Sequence, residues 1–197
     1  MKSLLIFSLL SFTLYASEIN TSLLKVHATL FPKTVLMDYN FKKKLYNNKL
    51  VLALIYEEHD KASALLLKKK IEAKYQHNIY DISLKIILSS YKKSIKTGLK
   101  ASSYYLFPSS KKHIKSLVTL ATQNSSMTFT YRNEDLQYGA MISTEISTRV
   151  KPVINIDALK RDAISLRPIL LKISEIYYQG NSINILEYND KFKLYYV

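Results

Sequence analysis

Apolar residues in this chain come in short blocks separated by polar, lysine-rich turns, and the spacing within each block separates helix from strand. In residues 19–38, Leu23, Val26, Leu30 and Val35 recur at intervals of three to five, which predicts an amphipathic helix disturbed at Pro32. Lys49–Tyr56, KLVLALIY, is a continuous apolar run between Asn47–Asn48 and a charged turn, the pattern of a strand buried on both faces. Asp60 is placed to cap a helix over Lys61–Tyr75, with Ala62, Leu65, Leu66 and Ile71 along one side. Residues 82–88 and 102–107 read as further strands. Ser109 or Ser110 then caps a helix carrying Ile114, Leu117, Val118 and Ala121, which stops near Asn124. Residues 127–131, MTFTY, alternate as a strand does and end in the polar turn 132–135.

Residues 138–178 hold the densest pattern. A segment at 139–146 leads into a second at 150–156 through a short Ser-Thr-Arg link, which predicts an antiparallel hairpin at one edge. Gly139 stands between turn and strand, where the absence of a Cβ permits a special backbone angle or a close approach. Asn155 or Asp157 can cap the following helix. Ser165 is placed to cap another, with Pro168 in its first turn and Ile169, Leu170, Ile173 and Ile176 as its buried stripe. Strand and helix alternate along the chain, the rhythm of a single α/β domain: a mostly parallel central sheet flanked by helices, with an antiparallel edge hairpin. In the tail, residues 183–188 and 192–197 flank Asn189–Asp190. They form either a hairpin or a Tyr- and Leu-rich segment that docks on a partner.

The first sixteen residues change the picture of location. Lys2, an apolar run from Leu4 to Tyr15 and the small Ala16 before a polar stretch form a secretory leader, with cleavage after Ala16. The run is shorter than the ~20 residues that span a bilayer. The expected layout is a signal peptide at 1–16, one α/β domain at 17–178 and the tail at 179–197. There are no cysteines, which excludes disulfides, thiol catalysis and thiolate metal sites.

The formal charge is +14, and loss of Lys2 with the leader leaves 14 − 1 = +13. With 16 Tyr this would suggest nucleic acid in a cytoplasmic protein; export makes that partner unexpected. The lysine clusters at 42–44, 68–70, 92–93 and 111–112 are spread along the chain, as solvated faces are. Attraction to an anionic membrane surface, or to an acidic protein, is the consequence to expect.

Catalytic chemistry is hard to find. His27, His59, His77 and His113 are far apart, and none lies in a metal-binding pair motif. Three glycines leave no room for a phosphate-cradling loop, and no serine sits in a nucleophile elbow. The compact cluster is Glu57-Glu58-His59-Asp60, just after the first buried strand. Ligands of open α/β sheets gather at such strand ends, so these four are the candidate ligand or partner contacts. The alternative is that Asp60 caps the next helix and the others are solvated; four consecutive side chains rarely aim at one point. No catalytic residue, metal or cofactor is expected.

Residues 138–178 also resemble the C-terminal signature of the YfiR-like (YfiR/HmsC) family of periplasmic regulators. The match rests on Gly139-Ala140-Met141-Ile142, on Ile154-Asn155-Ile156 with Asp157 following, and on the pair Leu170–Leu171. It departs in the absent cysteines and in a diverged first helix without Trp. The resemblance implies a non-enzymatic periplasmic protein that binds the extracytoplasmic domain of an inner-membrane signalling protein, typically a diguanylate cyclase, and represses it. Cyclic di-GMP and biofilm formation would then be limited. A homodimer is left open. The reading from a different class is a periplasmic small-ligand-binding module coupled to a sensor kinase or transporter.

Overall fold

The computed structural model describes residues 19–146 and 149–178. The leader and the tail segments singled out above lie outside the described residues.

Helix α1 (Thr21–Leu36) opens the domain. The Asn20 side chain accepts hydrogen bonds from the Ser22 and Leu23 amides and so caps it. The helix runs through Pro32, which is buried with Phe31 and Val35. Strand β1 (Lys49–Tyr56) follows, then α2 (Lys61–Tyr75), the short β2 (Asn78–Ile79), β3 (Ile82–Ser90) and α3 (Tyr91–Thr97). Next come β4 (Ser103–Leu106), α4 (Lys111–Gln123), β5 (Met127–Thr130) and a 3-10 segment at Asn133–Tyr138. The described residues continue with β6 (Ile142–Ile146), β7 (Val150–Asn155), α5 (Ile156–Arg161), α6 (Pro168–Ile173) and β8 (Glu175–Tyr177).

Among the described residues the strands form an eight-stranded sheet, in the order β2-β3-β1-β4-β5-β6-β7-β8. Strands β3, β1, β4, β5 and β6 are parallel, β6 and β7 form the antiparallel hairpin, and β8 lies parallel to β7. Alternate residues of β1 enter two cores, as the two-residue side-chain period requires. Leu50, Leu52 and Leu54 pack with Leu24, Phe31, Leu67 and Ile71 of α1 and α2. Val51, Ala53 and Ile55 pack with Tyr91, Ile114 and Leu117 of α3 and α4.

Several local expectations change. In α2 the buried residues are Ala64, Leu67 and Ile71, while Ala62 and Leu65 are exposed; three consecutive leucines leave the stripe ambiguous in sequence. Helix α3 is an element the apolar spacing does not predict; Ser90 caps it and Gly98 (φ +58°) ends it. Strand β5 is buried throughout. Ser165 caps nothing: α6 starts at Pro168 without a side-chain cap, and Ile169 and Ile173 are exposed. The helix stops early because residues 175–177 pair with β7, so β8 lies outside the hairpin at that edge.

Buried polar groups tie the layers together. His27 on α1 is fully buried, its ring edge-on to Phe129 at 5.1 Å between centroids. Its Nδ1 lies 2.6 Å from the Tyr105 hydroxyl on β4, and its Nε2 2.5 Å from Thr144 Oγ1 on β6. Burial pushes its pKa down to about 3, so the ring is neutral and donates on one side while accepting on the other.

The 138–178 stretch forms a second joint. Gly139 adopts φ +95°, and a Cβ there would meet Arg161 Nη1 at 2.9 Å and Val118 Cγ1 at 3.2 Å. The buried Met141 accepts from the Asn155 amide through its carbonyl (2.8 Å), while its own amide donates to Thr128 Oγ1 (2.9 Å). The Asn155 side chain donates to Leu136 O (2.9 Å) and accepts from Ala158 N (3.0 Å), which caps α5. Asp157 lies in the first turn of α5 and leaves the capping to Asn155. Leu170 is buried and Leu171 half-buried against the core.

Candidate functional site

The sheet reverses direction at β1. The chain passes from β1 through α2 to β3 on one side, then crosses to β4 on the other, and its later strands extend away from there. Helices α2 and α4, which follow β1 and β4, pack on opposite faces of the sheet. Where strand order reverses like this, the loops leaving the two strands part, and a crevice opens outside their carboxyl ends.

The residues that leave β1 and β4 meet there. Glu57 directly follows β1, and its Oε1 accepts a hydrogen bond from the Ser109 hydroxyl. His113 Nδ1 lies 2.6 Å from the same oxygen. Ser110 caps α4 by accepting from the His113 amide, which fixes the first turn carrying the imidazole. The His113 ring stacks on Tyr91 (5.7 Å between centroids, 10° between planes). Tyr91 is fully buried and donates its hydroxyl to Phe107 O at 2.6 Å. Burial drives the Tyr91 pKa well up, and the nearby Asp135 and Glu57 carboxylates add to that.

The turn after β5 closes the other side. Arg132 Nη2 donates to Ser109 O (2.8 Å) and to Asp135 Oδ1 (2.9 Å). Thr130 Oγ1 donates to Asp135 Oδ2 (2.7 Å). The turn read from sequence as simply polar therefore holds a fully buried carboxylate. Burial raises the Asp135 pKa, and the hydrogen bonds from Arg132 and Thr130 oppose that rise.

Of the four candidate contacts, the fold brings in only Glu57. Glu58 and His59 are exposed, and His59 Nε2 lies 3.4 Å from Asp60 Oδ2. Asp60 is buried at the start of α2, but its side chain accepts from no α2 amide, which corrects the capping expectation. The partners Glu57 does acquire, Ser109 and His113, lie more than fifty residues away. Each carried a readable local signal, a cap position and a lone histidine, but no spacing links them to Glu57.

Serine, histidine and a carboxylate side by side invite comparison with a nucleophilic relay. A relay needs the acid on one imidazole nitrogen and the serine on the other. Here Glu57 is at Nδ1, Ser109 Oγ is also nearest Nδ1, at 3.3 Å, and its hydroxyl is committed to the carboxylate. Ser109 and His113 thus both direct their contacts to Glu57 Oε1. Among the described residues no group of three or more His, Asp or Glu could hold a metal ion. Beside this crevice, between α4 and the segment leading to β6, runs a groove of about 400 Å³ lined by Lys115, Thr119, Gln137, Tyr138, Gly139 and Arg161.

Neither a scan of family models nor a search of curated proteins finds a match to the chain. Solved structures do match. A conserved domain protein from Vibrio cholerae aligns with TM-score 0.54 and 14% identity over 78% of this chain. The ABC domain from Streptococcus pneumonia, solved in complex with L-Trp, aligns with TM-score 0.50 and 11% identity over 73%. This chain spans 59% and 61% of those two chains. At such identities the likeness is one of fold. It agrees with the single α/β domain, mostly parallel sheet and antiparallel hairpin described above.

Proposed function

We propose that this chain is a non-enzymatic regulatory binding protein of the cell envelope. Its target would be the extracytoplasmic domain of an inner-membrane signalling protein of the diguanylate cyclase kind, held inactive while bound. The observation that carries the reading is the 138–178 stretch. The residues on which its resemblance to YfiR-like regulators rests fill positions with narrow requirements. Gly139 has positive φ under a guanidinium, and Asn155 both donates to Leu136 O and caps α5. A shared scaffold is what such residues would preserve. Repression follows if the target's inactive state is bound more tightly than its active one. Deleting the gene in its host should raise cyclic di-GMP, and the tagged chain should co-purify with a membrane protein carrying a cyclase domain. Unchanged cyclic di-GMP together with no such partner would sink the reading.

The crevice favours a second reading, a small-ligand-binding module coupled to a sensor kinase or transporter. Its support is the placement of Glu57, Ser109 and His113 at the strand-order reversal, and one structural neighbour carries an amino acid, L-Trp. A ligand that binds only the folded state raises apparent stability by about 2.7 kcal/mol at a hundred times its Kd. Screening amino acids and other small polar metabolites by thermal shift should therefore give a hit that Glu57→Gln weakens. A screen in which every shift survives Glu57→Gln and His113→Ala would count against this site.

A further inference from the structure

The end of the sheet opposite Glu57 has a different surface. Tyr46 pairs with Lys49 where β1 begins, so residues 39–46 lie at the amino ends of the central strands. An antiparallel bridge joins Asp38 to Leu166; the Tyr39 amide donates to Ser165 O (2.9 Å) and the Arg167 amide to Met37 O (2.8 Å). These bonds bring residues 39–43 alongside Arg167 and the start of α6. Tyr39 is 59% exposed, with the Arg167 guanidinium 6.0 Å from its ring centre. One turn apart on α6, Ile169 and Ile173 are 59% and 57% exposed.

The local charge has one sign. Residues 39–49 and 163–174 contain no Asp or Glu. Of the adjoining carboxylates, Asp38, paired with Lys44, and Asp162, paired with Arg161, are turned inward with side chains each 1% exposed, and the half-buried Glu175 shares a hydrogen bond with Glu145. Lys42, Lys43, Arg167 and Lys172 make no ion pair among the described residues.

We propose that this strip is a docking surface for an anionic lipid bilayer. Ile169 and Ile173 enter the boundary between headgroups and acyl chains, while Lys42, Lys43, Arg167 and Lys172 face the lipid phosphates. Exposed large apolar side chains flanked by cations are what an interfacial surface requires. A stable interface with a folded protein takes about 20–30 residues a side, more than this short strip supplies. The inference is independent of which functional reading holds.

Vesicle flotation of the mature chain tests it, at about 0.1 M salt, where the screening length is about 10 Å. Vesicles of phosphatidylethanolamine and phosphatidylglycerol should be bound, and vesicles of phosphatidylcholine should not. The pairs Ile169→Ser with Ile173→Ser, and Arg167→Gln with Lys172→Gln, should each weaken binding roughly tenfold or more. Both change exposed positions, and unaltered melting would confirm that they fold. Replacing Lys68 and Lys69 on α2 by Gln should leave binding as it is. No binding to the anionic vesicles overturns the proposal. So does an equal loss from the α2 pair, which would mean attraction by bulk charge alone. Loss of a co-purifying protein without any vesicle binding would assign the strip to a protein and overturn it as well.

Discussion

Replacing His27 by alanine is expected to lower the free energy of unfolding by about 3–5 kcal/mol, a large share of a domain's stability. The ring is fully buried and fills the space between α1 and strands β4 to β6. Its removal leaves a cavity and deprives the Tyr105 hydroxyl and Thr144 Oγ1 of a partner in a site without exposure. His27→Phe would fill most of the space yet still strand both hydroxyls, for a loss of about 1–3 kcal/mol. Urea unfolding followed by circular dichroism separates the two contributions.

The same ring sets an acid limit. Its folded pKa of about 3 lies below its unfolded value near 6.5, so the unfolded chain binds the proton more readily. The stability His27 gives is therefore complete above pH 6.5. It declines as pH falls from there to about 3, by up to about 1.4 kcal/mol per unit. His27→Phe should flatten the stability profile across that window. A variant profile as steep as the parent's would contradict the assignment.

Arg132→Ala should have the second large effect, about 2–3 kcal/mol at neutral pH. It leaves the fully buried Asp135 without its guanidinium, and the figure allows for solvent screening of an arginine that is 30% exposed. Burial already raises the Asp135 pKa, and Arg132 is the main group pulling it down. For a raised carboxyl the stabilising state is the protonated one, present below the unfolded pKa and lost as pH rises through the folded pKa. Losing Arg132 raises that folded pKa further, so the deficit should be greatest near neutrality and shrink on acidification. Asp135→Asn in the same background should recover part of the loss. A deficit that stays constant with pH would mean that Arg132 acts through its hydrogen bond to Ser109 O instead.

The fold was legible in the sequence where a single period dominates. The run KLVLALIY reads as a strand buried on both faces, and the Ile114–Leu117–Val118–Ala121 stripe matches the buried face of α4. It was less legible where tertiary contacts chose between equal local options. Leu65, Leu66 and Leu67 offer α2 overlapping faces, and only packing against α1 and β1 selects Leu67. Glu175–Tyr177 reads as the end of a helix until β7 supplies a partner. The site divides the same way. Glu57 was visible because it follows a recognisable strand, whereas Ser109 and His113 reach it through sheet order, which no local pattern encodes.

Sheet order also governs how the domain can be assembled. Only two placements ask the chain to return to an earlier strand: β3 beside β1, and β4 on the other side of β1. From β4 to β8 each strand is laid against the one made just before it, so the sheet grows by accretion along a single margin. A chain emerging amino-terminus first can bury each new strand on arrival, and its sticky margin is never more than one strand wide. Among the described residues the three of β8 come last and cover the hairpin's outer strand, so this part of the structure is built in the order it is read.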